Sequence, residues 1–202
     1  MIPAVLKSAC AALGLLCMNA MAAGPTIGAI DQSNLGPFTS TNGAASPYSF
    51  GQSFVPTATS ADRFEFLLGG VAATVVLRLR DGVAGTNGLS GAVIAETTPV
   101  TVDFIGSEWF GFQFAQPVAL SSGQTYVAEL AVLSGSLGVR LTEGNAYGSG
   151  MYLAGTFAAG SLTGFDLVFA EGMAATVPEP ASWATFMAGG LLLAGAARSR
   201  KR

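Results

Sequence analysis

Between residues 48 and 170 the apolar side chains recur at every second position, a period that builds strands and excludes amphipathic helices. In Ala73-Thr74-Val75-Val76-Leu77-Arg78-Leu79-Arg80-Asp81 the arginines alternate with Leu77 and Leu79 up to a turn at Asp81-Gly82. Phe64, Phe66 and Leu68 share one strand face, with Arg63, Glu65 and Leu67 on the other. Phe110, Phe112 and Phe114 fall together in the same way, and 126–133, 137–142 and 165–169 repeat the pattern. Gly, Ser, Thr and Asn punctuate these runs, and the 27 glycines supply the positive φ that tight turns need. Eight to ten strands follow, with no convincing helix in this region. The expected fold class is all-β, a β-sandwich in which two sheets bury the Phe and Leu faces. Such a domain buries about 70% of its extended-chain surface and needs no disulfide. Residues 23–46, rich in Gly, Ser, Thr, Asn and Pro, read as a lead-in with one short strand, 47–171 as the sandwich, and 172–182 as a linker.

Charge narrows the function classes. Between residues 23 and 176 there are eleven carboxylates and four arginines (Arg63, Arg78, Arg80 and Arg140), a balance of −7. An acidic domain of this kind repels nucleic-acid phosphates, so no nucleic-acid partner is expected. Neutral glycans and divalent cations remain open. Histidine is absent, which removes the commonest general base and the commonest metal ligand. The two cysteines, Cys10 and Cys17, both lie in the apolar N-terminal stretch.

That stretch, 1–22, has the order of a secretory signal peptide. Lys7 supplies a positive n-region, 9–18 an apolar core, and Ala20 and Ala22 the small residues that precede cleavage at Ala23. Its expected partners are the Sec translocon and signal peptidase. A lipoprotein signal at Cys17 is the rival, but Leu16 stands where a small residue is needed.

The other end is also in three parts. Val177-Pro178-Glu179-Pro180-Ala181-Ser182 is extended, because its two prolines forbid a helix. An uncharged segment, 183–197, follows with Trp183 at its outer end, and Arg198, Arg200, Lys201 and Arg202 close the chain. As a helix the segment spans about 22 Å at 1.5 Å per residue, short of the roughly 30 Å hydrocarbon core. Snorkelling of Arg198 and an interfacial Trp183 make a strained span feasible, and the cationic tail sets it cytoplasmic.

This order resembles the PEP-CTERM sorting signal of Gram-negative bacteria, in which a Val-Pro-Glu-Pro-type motif precedes an apolar transmembrane helix and an Arg-rich tail. The resemblance covers about 26 residues. It implies processing by exosortase, a membrane-embedded cysteine protease or transpeptidase, after a transient stay in the inner membrane. It further implies a final place at the cell surface or outside the cell, in the company of exopolysaccharide and biofilm. A permanent tail anchor is the alternative. In the middle, Gly51-Gln52-Ser53-Phe54, Leu79-Arg80-Asp81-Gly82, 112–118 and 120–126 resemble segments of secreted jelly-roll modules. Some of those modules have the galactose-binding-like architecture used in carbohydrate recognition.

Candidate chemistry is sparse. A serine nucleophile without His would need Lys, and 23–176 has none. Asp103 with Glu108, or Asp62 with Glu65, are the simplest carboxylate pairs for glycoside hydrolysis, against a reading as solvated surface acids. No catalytic residue is therefore assigned and no enzyme is expected. Asp81, followed by Gly82, Gly85, Asn87 and Gly88, makes an oxygen-bearing loop that would suit Ca²⁺, though without EF-hand spacing; a plain hairpin loop is the rival. No other cofactor is expected. Trp109, Tyr147 and Tyr152 are the candidate rings for stacking on a pyranose, against core packing. The leading expectation is a non-catalytic matrix protein that binds exopolysaccharide. A purely structural or adhesive protein and a carboxylate-dependent glycan-processing enzyme are the alternatives.

Overall fold

The structure is a computed structural model describing residues 24–175, except Val71 and Ala159. The cleavage residues Ala20, Ala22 and Ala23, the sorting motif 177–182, the apolar segment beginning at Trp183 and the basic tail lie outside the described residues. Among the described residues no helix is long and apolar enough to cross a membrane.

The period-two reading is borne out: the described chain is all-β. In order, the strands are β1 (Ile27–Asn34), β2 (Ser40–Ala45), β3 (Ser49–Phe54), β4 (Ser60–Gly69), β5 (Ala73–Asp81) and β6 (Ala92–Glu96). They continue with β7 (Val100–Val102), β8 (Ser107–Ala119), β9 (Tyr126–Glu143), β10 (Tyr152–Ala154), β11 (Phe165–Leu167) and β12 (Phe169–Ala174). All paired strands run antiparallel in one curled sheet. The segment read as a lead-in supplies two strands. β1 pairs along β12 from Ile27↔Ala174 to Asn34↔Phe169, and β2 pairs along β9 from Ser40↔Leu141 to Ala45↔Ser136. β12 also reaches into the expected linker, as far as Ala174.

β9 organises the curl. Its first half lies between β3 and β5, and its second half between β2 on one side and β4 and β11 on the other. Inward-facing residues are Tyr126, Ala128, Leu130 and Val132 in the first half, then Leu137, Val139 and Leu141 in the second. The inward set thus changes from even to odd numbers. A register shift against β5, between Thr74↔Ser134 and Val75↔Val132, leaves Leu133 unpaired and half-exposed, which is how one extra residue flips a strand's faces. Gly135 follows at φ +76°, and a Cβ there would lie 2.0 Å from the Ala72 carbonyl oxygen, so only glycine fits the bend.

Both halves close over one core. Phe54 meets Phe64 edge-on at 5.5 Å, Phe64 meets Phe114 at 6.0 Å, and Phe66 meets Phe112 at 6.1 Å and Phe169 at 6.4 Å. The chain of rings ties β3, β4, β8 and β12 together. Each such pair adds about 0.5–1.5 kcal/mol to the burial of its rings.

Candidate functional site

Antiparallel register sets three glycines side by side across three strands. Gly43 of β2 pairs with Gly138 of β9, and Gly138 with Gly69 of β4. A strip of bare backbone results, forming the floor of an open groove of about 500 Å³. The neighbouring rungs edge it: Thr41 pairs with Arg140 on one side and Ala45 with Ser136 on the other. Gly106, from the loop between β7 and β8, completes the wall. At Gly69 the Arg140 guanidinium lies against the backbone, and a Cβ there would come within 2.7 Å of Nη2 and push the arginine aside. Gly43 is different. Its φ is ordinary, and a Cβ would meet only Leu137 O at 3.6 Å, so packing does not demand glycine at this position.

Arg140 carries the groove's charge. Its Nε donates to Ser107 Oγ at 2.8 Å, its Nη2 to Gly106 O at 3.2 Å, and its guanidinium stacks on the exposed Phe38 ring at 5.2 Å. These contacts orient the fork without neutralising it. The other three described arginines all have carboxylate partners: Arg63 with Glu65 at 2.6 Å, Arg78 with Glu96 at 2.6 Å, and Arg80 with Glu129 at 2.7 Å. Among the described residues Arg140 alone has none. A fixed guanidinium over a flat backbone floor suits a planar anion such as a carboxylate, and such a charge-assisted contact is worth about 1.5–3 kcal/mol.

The residues nominated from the sequence do not gather here. Trp109 lies half-buried on β8 in register with Leu67, two residues along the same strand face from Ser107, but does not line the groove. Tyr147 is buried: its hydroxyl donates to Gln32 Oε1 at 3.0 Å and accepts from the Val55 amide at 3.2 Å, and its ring packs edge-on to Phe169 at 5.2 Å. Tyr152 is 1% exposed and accepts from Asn42 Nδ2 at 2.9 Å; burial pushes both tyrosine hydroxyls above their usual pKa. Neither tyrosine offers a ring face to a ligand. Asn87 Oδ1 accepts from the Leu89 amide at 3.0 Å within its turn, and Asp81 sits exposed at the end of β5. Among the described residues no three or more Asp, Glu, Cys or His side chains gather as a metal cluster.

Nor do the nominated carboxylate pairs form a dyad. Glu65 is held by Arg63 Nε, the Thr26 amide and the Thr26 hydroxyl, each at 2.6 Å. Asp62 accepts from the Ala174 amide at 2.6 Å, while Asp103 and Glu108 are both exposed. Buried Asp166, which the sequence reading passed over, accepts from Gln52 Nε2 at 3.0 Å and the Tyr147 amide at 2.9 Å. Burial raises its pKa, and these two donors partly offset the rise. No local signal marks Arg140 in the sequence, because its neighbours in the groove come from β2, β4 and a distant loop.

No protein-family model matches the chain, and a search of curated proteins found no match.

Proposed function

We propose that this is an exported, non-catalytic surface or matrix protein that binds a sparsely charged exopolysaccharide, because the −7 domain repels a dense polyanion while Arg140 can take an isolated carboxylate. The leader takes it through the Sec translocon to signal peptidase, and the Val177–Ser182 motif hands it to exosortase at the inner membrane. The curled sheet is read as a β-sandwich of the jelly-roll kind, whose outer face presents the groove. The observation that carries the binding reading is the Gly43–Gly138–Gly69 floor beside the uncompensated Arg140. A sugar ring lies flat on the open Gly43 and Gly138 backbone, and the guanidinium, which covers Gly69, supplies a bidentate partner for a uronate-type carboxylate.

The test is binding of the full-length chain to a glycan array and to exopolysaccharide of the producing cell. Arg140→Ala should reduce affinity by about tenfold or more, as expected for losing a charge-assisted contact. Gly43→Leu should block the floor without a backbone clash. A chain that binds no glycan would shift the reading to an adhesive protein, which the exposed Val93 and Ile94 on β6 favour.

A further inference from the structure

Four carboxylates among the described residues are essentially sealed from solvent, and the fold treats one of them differently. Glu65 and Glu129 are met by arginines, and Asp166 by an amide side chain and a backbone amide. Glu171, on β12, is 0% exposed, and neither of its oxygens has a hydrogen-bond donor. The acidic side chain beside it is Asp31, which can serve as a partner only if a proton lies between the two. An ionised carboxylate in this position is costly unless a positive charge joins it.

We propose that Asp31 and Glu171 form an oxygen-only site for a hard divalent cation, Ca²⁺ by its chemistry. The two come together because β1 and β12 pair along their length. The register shift between Ile30 and Gln32 places Asp31 at the irregularity, and Gln32 lies directly opposite Glu171. Gln32 Oε1, which accepts from the Tyr147 hydroxyl at 3.0 Å, is a neutral oxygen in the same neighbourhood. Asp31 is already anchored. Its Oδ2 accepts from the Thr57 amide at 2.8 Å and the Ala58 amide at 3.1 Å, and its Oδ1 from the Thr57 hydroxyl. Burial pushes the Asp31 carboxyl up, but these donors and Glu171 outweigh it and hold its pKa below the usual value. Asp31 therefore presents a fixed, ionised carboxylate at the partly exposed side of the pair. Asp166 on β11 adds negative potential, felt at Tyr147 together with that of Glu171 and Asp31. With no His in the chain and both cysteines at positions 10 and 17, the donor set is hard oxygen, which suits Ca²⁺, with water reaching the ion from the partly exposed Asp31 side. This site lies apart from the 81–88 loop considered from the sequence.

The experiment is a CaCl₂ titration of the EDTA-stripped full-length chain at pH 7.5, read by calorimetry and by thermal unfolding. One saturable site and a Ca²⁺-dependent rise in Tm are expected, with Glu171→Gln abolishing both and Asp31→Asn weakening binding at least tenfold. Repeating the titration in buffers of different ionisation enthalpy should show a proton released for each Ca²⁺ bound, since the ligand must deprotonate. Glu171→Gln retains volume and gains a donor toward Asp31, so it should fold. A wild-type chain that ignores Ca²⁺ overturns the proposal and leaves a shared proton as the compensating charge. Equal Ca²⁺ binding by Glu171→Gln overturns it too, placing any site elsewhere.

Discussion

Metal-free protein should become less stable as pH rises toward 8, and Glu171→Gln should remove most of that loss. Burial, the Asp31 charge and the contact with Asp31 push the Glu171 carboxyl from 4.5 up to about 8. The folded state therefore holds this proton more tightly than the unfolded chain does. Its stabilising effect is complete below about pH 4.5 and disappears as pH climbs through 8. At 1.36 kcal/mol per pKa unit, the shift sets an upper bound of about 5 kcal/mol. Against a typical total of about 5–15 kcal/mol, that is a large share. Asp31 acts oppositely: its lowered pKa adds stability that is lost as pH falls below the ordinary Asp range. Urea unfolding in EDTA at pH 5, 6, 7, 8 and 9 measures the balance. Wild type should lose midpoint concentration steadily from pH 5 to 8, while Glu171→Gln stays nearly flat and is the more stable protein at pH 8. Parallel pH profiles, or a Gln variant less stable than wild type at pH 8, would refute the reasoning.

Three further outcomes are expected. Gly135→Ala places a methyl against the Ala72 carbonyl and forces a left-handed backbone on alanine, so thermal unfolding should show a loss of at least about 2 kcal/mol. Phe66→Ala removes a fully buried ring lying between Phe112 and Phe169, at about 3–5 kcal/mol by chemical denaturation with an unchanged slope. Intact mass of protein made by its native cell should lack the residues after the 177–182 region; a mass that retains Arg202 would sink the sorting proposal.

What local sequence encodes is which way each side chain faces, because alternation needs no knowledge of the partner strand. The strand Ala73–Asp81 was legible residue for residue, and so was the face shared by Phe64, Phe66 and Leu68, all three now fully buried. The all-β class followed from the same signal. Residues 126–133 and 137–142 looked like separate strands because the bulge at Leu133 breaks the alternation, whereas the backbone runs on as one strand. Only one short strand was legible in 23–46, because the polar, Gly-rich sequences of β1 and β2 show no clean alternation; pairing with β12 and β9 makes both of them strands. Tyr147 and Tyr152 read as available rings until tertiary packing buried them. Register, a non-local property, alone aligned Gly43, Gly138 and Gly69 into a floor beside Arg140. Pairing of the first strand with the last likewise brought Asp31 to Glu171 across 140 positions of chain, a meeting that no window of sequence contains.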